Sequence, residues 1–231
     1  MENVTRLFDV PEKTVHLWIK LHGLPVCRVK NQYRFNRTDL LEWALANQVS
    51  LSSGMLEHEG PVEPALPSLA EALAAGGIHP KVVGRDKAAV LSAIVALLRL
   101  PEAVDRSLLL EALLVRESLG STAIGEGIAI PHPRHPIVLN VGQPIVTLCF
   151  LEHPIDFEAL DDQPVGILFT LITPTTRSHL RLLSRLMFVL RAPEVKQALV
   201  RDCRSPEAIL RAIAQAENAL MDYSSPPAKN R

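Results

Sequence analysis

The chain has 231 residues, 24 Lys and Arg against 25 Asp and Glu, 48% apolar and 4% aromatic residues, an ordinary globular composition that excludes disorder throughout. No apolar run approaches the roughly 18–20 residues of a spanning helix, so no membrane insertion is expected. The N-terminus lacks a secretory signal, and Cys27, Cys149 and Cys203 form no CxxC pair, which argues against disulfides and cysteine-bound zinc and for a cytoplasmic location.

Residues 1–49 carry a net charge of +2, leaving −3 for the rest, and Lys20 to Thr38 holds five basic residues and no acid. That is a local basic surface. Residues 50–67, with three prolines, two glycines and three serines, read as a linker. The expected plan is therefore a small module at 1–49, the linker at 50–67, a larger domain at 68–220 and a flexible tail at 221–231.

In the first module, Val4 to Phe8 is a short helical stretch, and Asp9-Val10-Pro11 turns the chain into a helix from Glu12 to His22 that ends at Gly23. Val15, Trp18, Ile19 and His22 share one face of it, and Lys13, His16 and Lys20 the other. The β-rich segments Leu24 to Val29 and Tyr33 to Asn36 are joined by Lys30-Asn31-Gln32, where Asn31 suits a tight hairpin. A last helix runs from Thr38 to Ala46. Helix, turn, helix and basic hairpin make a winged helix-turn-helix plan, with Trp18 and Trp43 as core residues.

This order, with TVHLWIKLHGLPVCRV and YRFNRTDLLEW, resembles the excisionase-like and MerR-like DNA-binding modules over residues 3–46. The resemblance implies that the second helix enters the major groove, placing Lys13, His16 and Lys20 over DNA with Lys30 and Arg34 on the wing. The bland alternative is an adaptor with a solvated basic face.

The larger domain reads as a sheet covered by helices. Helices are expected at Ser68–Ala75, Arg85–Leu98, Asp105–Leu119, Thr175–Leu190, Pro193–Arg201 and Pro206–Ala219, and strands at Ile78–Val83, Ile145–Leu151 and Val165–Ile172. Between Leu119 and Leu139, glycines and prolines bracket two histidines. Gly120 and Gly125 have P-loop spacing, but Glu126 stands where the lysine should be, which disfavours a nucleotide site; the glycines otherwise simply shape a turn. His132 and His135 are three apart, but Pro131, Pro133 and Pro136 forbid the helix that would make them a metal pair. No cofactor and no metal is expected. A histidine held between prolines has a preset backbone and suits a nucleophile.

Arg116 continues the helical stripe Leu109, Ala112, Leu113, which directs its guanidinium inward or along the rim, where it normally needs an anionic partner. His179 heads the stripe Leu182, Leu183, Leu186, Leu190, in a first turn that attracts anions. Taken alone, Arg116 pairing a carboxylate and His179 as a core histidine are the bland readings.

VRESLGSTAIGEGIAIPHPR followed by PTTRSHLRLLSRL resembles the enzyme IIA domain of the fructose/mannitol class of the phosphotransferase system, in its nitrogen-regulatory (PtsN-like) branch, over residues 66–218. The resemblance implies an α/β (α+β) fold with a mixed sheet flanked by helices, a phosphoryl-accepting histidine at His132, a second active-site histidine at His179 and an active-site arginine at Arg116. It also implies a histidine phosphocarrier protein, of HPr or NPr type, as donor. Many relatives have a small residue where Pro133 stands and no second histidine as near as His135.

The leading expectation is a cytoplasmic regulator that joins this phosphocarrier-type domain, rather than a turnover enzyme, to a DNA-binding module. Specific recognition by so small a module requires a homodimer or a second module. The competing readings are a phosphoryl relay whose N-terminal module docks proteins instead of DNA and, least favoured, a metal-dependent hydrolase using His132 and His135.

Overall fold

Pro11 and Gly23 delimit the helix that organises the N-terminal part of the chain. The computed structural model describes residues 2–29, 32–35, 39–40, 43–44, 47, 49, 66–134, 141–201 and 205–224. It forms two units, Met1–Glu63 and Pro64–Arg231.

In the first unit, α1 (Glu2–Phe8) gives way at Asp9, whose φ is +51°, to α2 (Glu12–Leu21), which starts after Pro11. The end of α2 is tight: His22 N–H and Leu24 N–H both donate to Trp18 O, at 3.0 and 3.1 Å, across Gly23 at φ +62°. Such a closure needs the left-handed residue that glycine supplies without steric cost. Val15 is buried, and Phe8, Trp18 and Trp43 meet with ring centroids 5.1 to 6.1 Å apart. The Trp43 indole N–H donates to His22 O at 2.7 Å, so the aromatic pair belongs to the core, as its helical spacing indicates.

The hairpin consists of β1 (Cys27–Val29) and β2 (Gln32–Arg34), antiparallel with Cys27 opposite Arg34. Both strands are shorter than the expected segments. Residues 39–40 and 43–44 are helical, within the stretch expected from Thr38 to Ala46. Lys30, Asn31 and most of the linker lie outside the described residues.

The second unit begins with Ser68 as the N-cap of α3 (Leu69–Gly76), in a capping box with Glu71. Then follow β3 (Ile78–Val82), α4 (Lys87–Leu97) and α5 (Arg106–Ser118). After α5 come β4 (Ala123–Gly125), β5 (Ile128–Ala129), β6 (Ile145–Ile155) and β7 (Val165–Ile172). The chain closes with α6 (Thr176–Val189), α7 (Pro193–Arg201) and α8 (Pro206–Ser224).

The sheet order is β3-β6-β7-β5-β4, with β3·β6 and β5·β7 parallel and β4·β5 and β6·β7 antiparallel. This is the mixed sheet expected. Cys149 and Leu168 pair across β6 and β7 and join Ile172 in one cluster with Val90, Leu91 and Ile94 of α4 and Leu109 and Leu113 of α5. The alternate residues Leu148, Phe169 and Leu171 turn to the opposite face, where α3 packs on β6 and α6 on β7. Covering on both sides explains why IVTLCF and ILFTLI are almost wholly apolar. Full burial of one such leucine or phenylalanine contributes about 1.5–3 kcal/mol.

Four elements differ from expectation. The glycine-rich segment is a hairpin, β4 and β5, turning through Gly125, Glu126 and Gly127 at φ +91°, +53° and +73°. The strand from Ile145 continues past Leu151 to Ile155, with a register irregularity between Phe150 and Ile155 that accommodates Pro154. The last helix runs beyond Ala219 to Ser224, into the stretch expected to be tail.

Candidate functional site

His132 follows the end of β5 by three residues, and backbone bonds fix that segment from both sides. Ile130 N–H donates to Thr122 O at 3.0 Å and Leu171 N–H donates to Pro131 O at 3.1 Å. Pro131 and Pro133 preset φ on either side. The His132 ring is 3% exposed, and its Nδ1 lies 2.7 Å from Ile130 O. A carbonyl only accepts, so Nδ1 carries a proton, and of the two neutral tautomers this contact suits the one with its lone pair on Nε2.

His179 arrives at the same end of the sheet, from the element that follows the central strand β7, which runs parallel to β5. After β7, Thr173-Pro174 leads to Thr175, the N-cap of α6, whose hydroxyl accepts from Ser178 N–H at 3.1 Å while Ser178 Oγ accepts from Thr175 N–H at 3.2 Å. This closes the first turn, and His179 N–H begins the regular ladder by donating to Thr175 O at 3.0 Å. Leu182, Leu183 and Leu186 bury the same face as His179, which is 1% exposed. The rings of His132 and His179 meet with centroids 4.9 Å apart and planes tilted by 49°.

Arg116 is half-buried in the last turn of α5 and donates to Gly120 O at 2.8 Å. That bond ties the end of α5 to the turn that leads into β4. The structure therefore brings the two histidines together and sets the arginine at the start of the hairpin that carries His132.

Glu117, next to Arg116, was not singled out by sequence reasoning. Its carboxylate is buried and accepts from both Thr122 N–H (3.0 Å) and Thr122 Oγ–H (2.7 Å), with Lys87 Nζ 3.8 Å from Oε1. Lys87 also pairs with Glu158 at 3.0 Å. A buried glutamate on a helix has no sequence signature that separates it from a surface one; the signal was the Thr122 that follows it by five residues.

His135 lies outside the described residues. Among the described residues no cluster of three His, Cys, Asp or Glu side chains suited to a metal ion occurs, and no helix is long and apolar enough to cross a membrane. Cys149 is a buried thiol whose pKa burial pushes up to about 12.

In the N-terminal unit, Lys13 and Lys20 are exposed on α2, and His16 lies 3.5 Å from Glu12 and makes an edge contact with Tyr33 of β2 at 5.7 Å. The hairpin thus leans on the basic face of α2. That face is not uniformly basic, since Leu17 and Leu21 are 49% and 70% exposed on it. Lys30 is outside the described residues, and Arg34 is placed on β2 by its backbone.

Residues 71–216 match the family model described as phosphoenolpyruvate-dependent sugar phosphotransferase system, EIIA 2, and residues 2–48 match that of a helix-turn-helix domain. A nitrogen regulatory protein of Pseudomonas aeruginosa is 37% identical over 154 residues, covering 65% of this chain and 97% of that protein. One from Bradyrhizobium diazoefficiens is 39% identical over 106 residues, covering 45% of this chain and 67% of that protein. The crystal structure of nitrogen regulatory protein IIA-Ntr from Neisseria meningitidis is similar with a TM-score of 0.54 at 29% identity, covering 63% of this chain and 98% of that one.

Proposed function

Because the chain belongs to the EIIA 2 family of the phosphoenolpyruvate-dependent sugar phosphotransferase system and carries an N-terminal helix-turn-helix domain, we propose that it is a cytoplasmic nitrogen-regulatory phosphocarrier. In this reading it takes a phosphoryl group on His132 from a histidine phosphocarrier protein and couples its phosphorylation state to DNA binding. The observation that carries the first half is the Nδ1–H bond of His132 to Ile130 O beside the ring of His179.

The lone pair on His132 Nε2 attacks the phosphorus of the donor's phosphohistidine. A new N–P bond forms as the old one breaks, and the donor imidazole leaves with the bonding electrons and is reprotonated. No metal is required, because the leaving group is a protonatable imidazole and not a nucleotide diphosphate. Positive character that develops on the His132 ring is offset at Nδ1 by the Ile130 carbonyl. Arg116 supplies forked donors for the phosphoryl oxygens, and His179 with the first turn of α6 supplies further positive potential. The near-complete burial of His132 limits attack by water on the bound phosphoryl group.

The DNA half of the reading is supported by Lys13, His16 and Lys20 on one face of α2 and by a hairpin bearing Lys30 and Arg34, with a homodimer supplying the second half-site. The exposed Leu17 and Leu21 favour a second reading, in which that face docks a protein. Incubating the chain with phosphocarrier protein, enzyme I and phosphoenolpyruvate and mapping the acid-labile phosphate tests the first half. Titrating duplex DNA with phosphorylated and unphosphorylated chain tests the second: equal affinities contradict the coupling, and no binding favours protein docking.

A further inference from the structure

We infer that Glu117 is a positioning residue for His132, acting through Thr122 and Ile130 to hold the imidazole in the tautomer with its lone pair on Nε2. This rests on the reading of His132 as phosphoryl acceptor. Four hydrogen bonds make the connection. Both Glu117 oxygens grip Thr122, one through its N–H at 3.0 Å and the other through its hydroxyl at 2.7 Å. Thr122 O accepts from Ile130 N–H at 3.0 Å, and Ile130 O faces His132 Nδ1 at 2.7 Å.

Every joint in this chain is short of alternatives. Pro131 and Pro133 offer no N–H, so the peptide that orients His132 is held toward β4 by Thr122, and toward β7 by Leu171. Thr122 is buried and follows a turn that begins at Gly120, where the backbone itself is at φ +148°. The neighbours of Thr122 are anchored too, Ser121 Oγ donating to Phe157 O and accepting from Ala123 N–H, and the carboxylate adds a hold on the N–H and hydroxyl of Thr122 itself. The carboxylate is compensated by two donors and by Lys87, which lies 3.8 Å away, so its burial is chemically accounted for.

The consequence reaches the nucleophile because Ile130 uses both its backbone groups on this path. A displaced Ile130 carbonyl loosens the bond to Nδ1–H, and the ring then samples the tautomer with its proton on Nε2, which leaves that nitrogen no lone pair for attack on phosphorus. Arg116 and Glu117 are neighbours on the last turn of α5, so one turn of helix steadies Gly120 by a guanidinium and Thr122 by a carboxylate.

The test uses the full chain labelled with 15N-histidine, in which ring nitrogen shifts report the His132 tautomer without any phosphoryl transfer. Thr122→Val removes the hydroxyl bond to Glu117 while keeping the shape, and Thr122→Ser restores it. We expect the wild type to hold the proton on Nδ1, Thr122→Val to populate the other tautomer and to accept phosphoryl groups roughly tenfold more slowly, and Thr122→Ser to recover both properties. Glu117→Gln gives a second path to the same outcome if the valine variant folds poorly. A wild-type tautomer and rate in Thr122→Val and Glu117→Gln, whatever their melting temperatures, would overturn the inference. A wild type that holds the Nδ1 proton but takes no phosphoryl group on His132 would instead sink the acceptor reading.

Discussion

His132 and His179, far apart in sequence, have their rings 4.9 Å apart, one delivered by the β4–β5 hairpin and the other by the first turn of α6. Both histidines are nearly withdrawn from solvent, and both lie past the C-terminal ends of parallel neighbours, His132 after β5 and His179 after β7.

From this arrangement, Arg116 and His179 should assist transfer without carrying the phosphoryl group. Replacing either by Ala is expected to slow phosphorylation of His132 by roughly a hundredfold, the loss of about 2.7 kcal/mol typical of one transition-state donor. Stopped-flow or quench measurements with phosphorylated carrier give the rate. A lowered melting temperature with an unchanged rate would assign the two side chains to structure alone.

The N-terminal unit should bind duplex DNA with a slope of log affinity against log salt of about −4, from four or five contacts by Lys13, His16, Lys20, Lys30 and Arg34. Lys20→Glu should weaken binding and leave phosphorylation of His132 intact. Binding that is unchanged in Lys20→Glu would favour the protein-docking reading of α2.

Glu71 is held below the usual carboxylate range, chiefly by the backbone N–H of Ser68 and then by its hydroxyl. A lowered folded-state value means that the capping box stabilises the protein above the ordinary glutamate range and loses its contribution as pH falls through the depressed value. The difference in melting temperature between wild type and Glu71→Gln should therefore shrink between pH 7 and pH 3. A difference that stays constant with pH would assign the effect to shape and not to charge.

Cys149 is fully buried in the sheet, with its thiol pushed up to about 12 by loss of solvation. It should resist alkylating reagents at pH 8 in the folded protein and react once denaturant is added. Labelling at Cys149, located by peptide mapping, at the same rate with and without denaturant would contradict this.

Much of the fold was legible because its signals are local. Thr175 and the stripe from His179 to Leu190 announce α6, and the apolar runs of β6 and β7 announce strands buried on both faces. The β4–β5 hairpin was hidden because its strands are three and two residues long, too short for an alternation to show. Pro154 made β6 look finished at Leu151, whereas the irregular pairing beyond Phe150 tolerates a missing N–H. The last helix outran its expected end at Ala219 because no breaker stands before Pro226. Of the site, His132 stood out by its flanking prolines and His179 by its stripe, and family resemblance joined them to Arg116. Glu117 was missed, since its carboxylate gains a task only where the turn through Gly120 brings Thr122, five residues on, back to the helix end.

The central claim is that His132 is the phosphoryl acceptor, and intact-mass measurement after incubation with phosphocarrier protein, enzyme I and phosphoenolpyruvate tests it most directly. Wild type should gain one acid-labile phosphoryl group and His132→Ala none, while His179→Ala gains the same group slowly. Unchanged labelling of His132→Ala would contradict the account and move the acceptor to another residue.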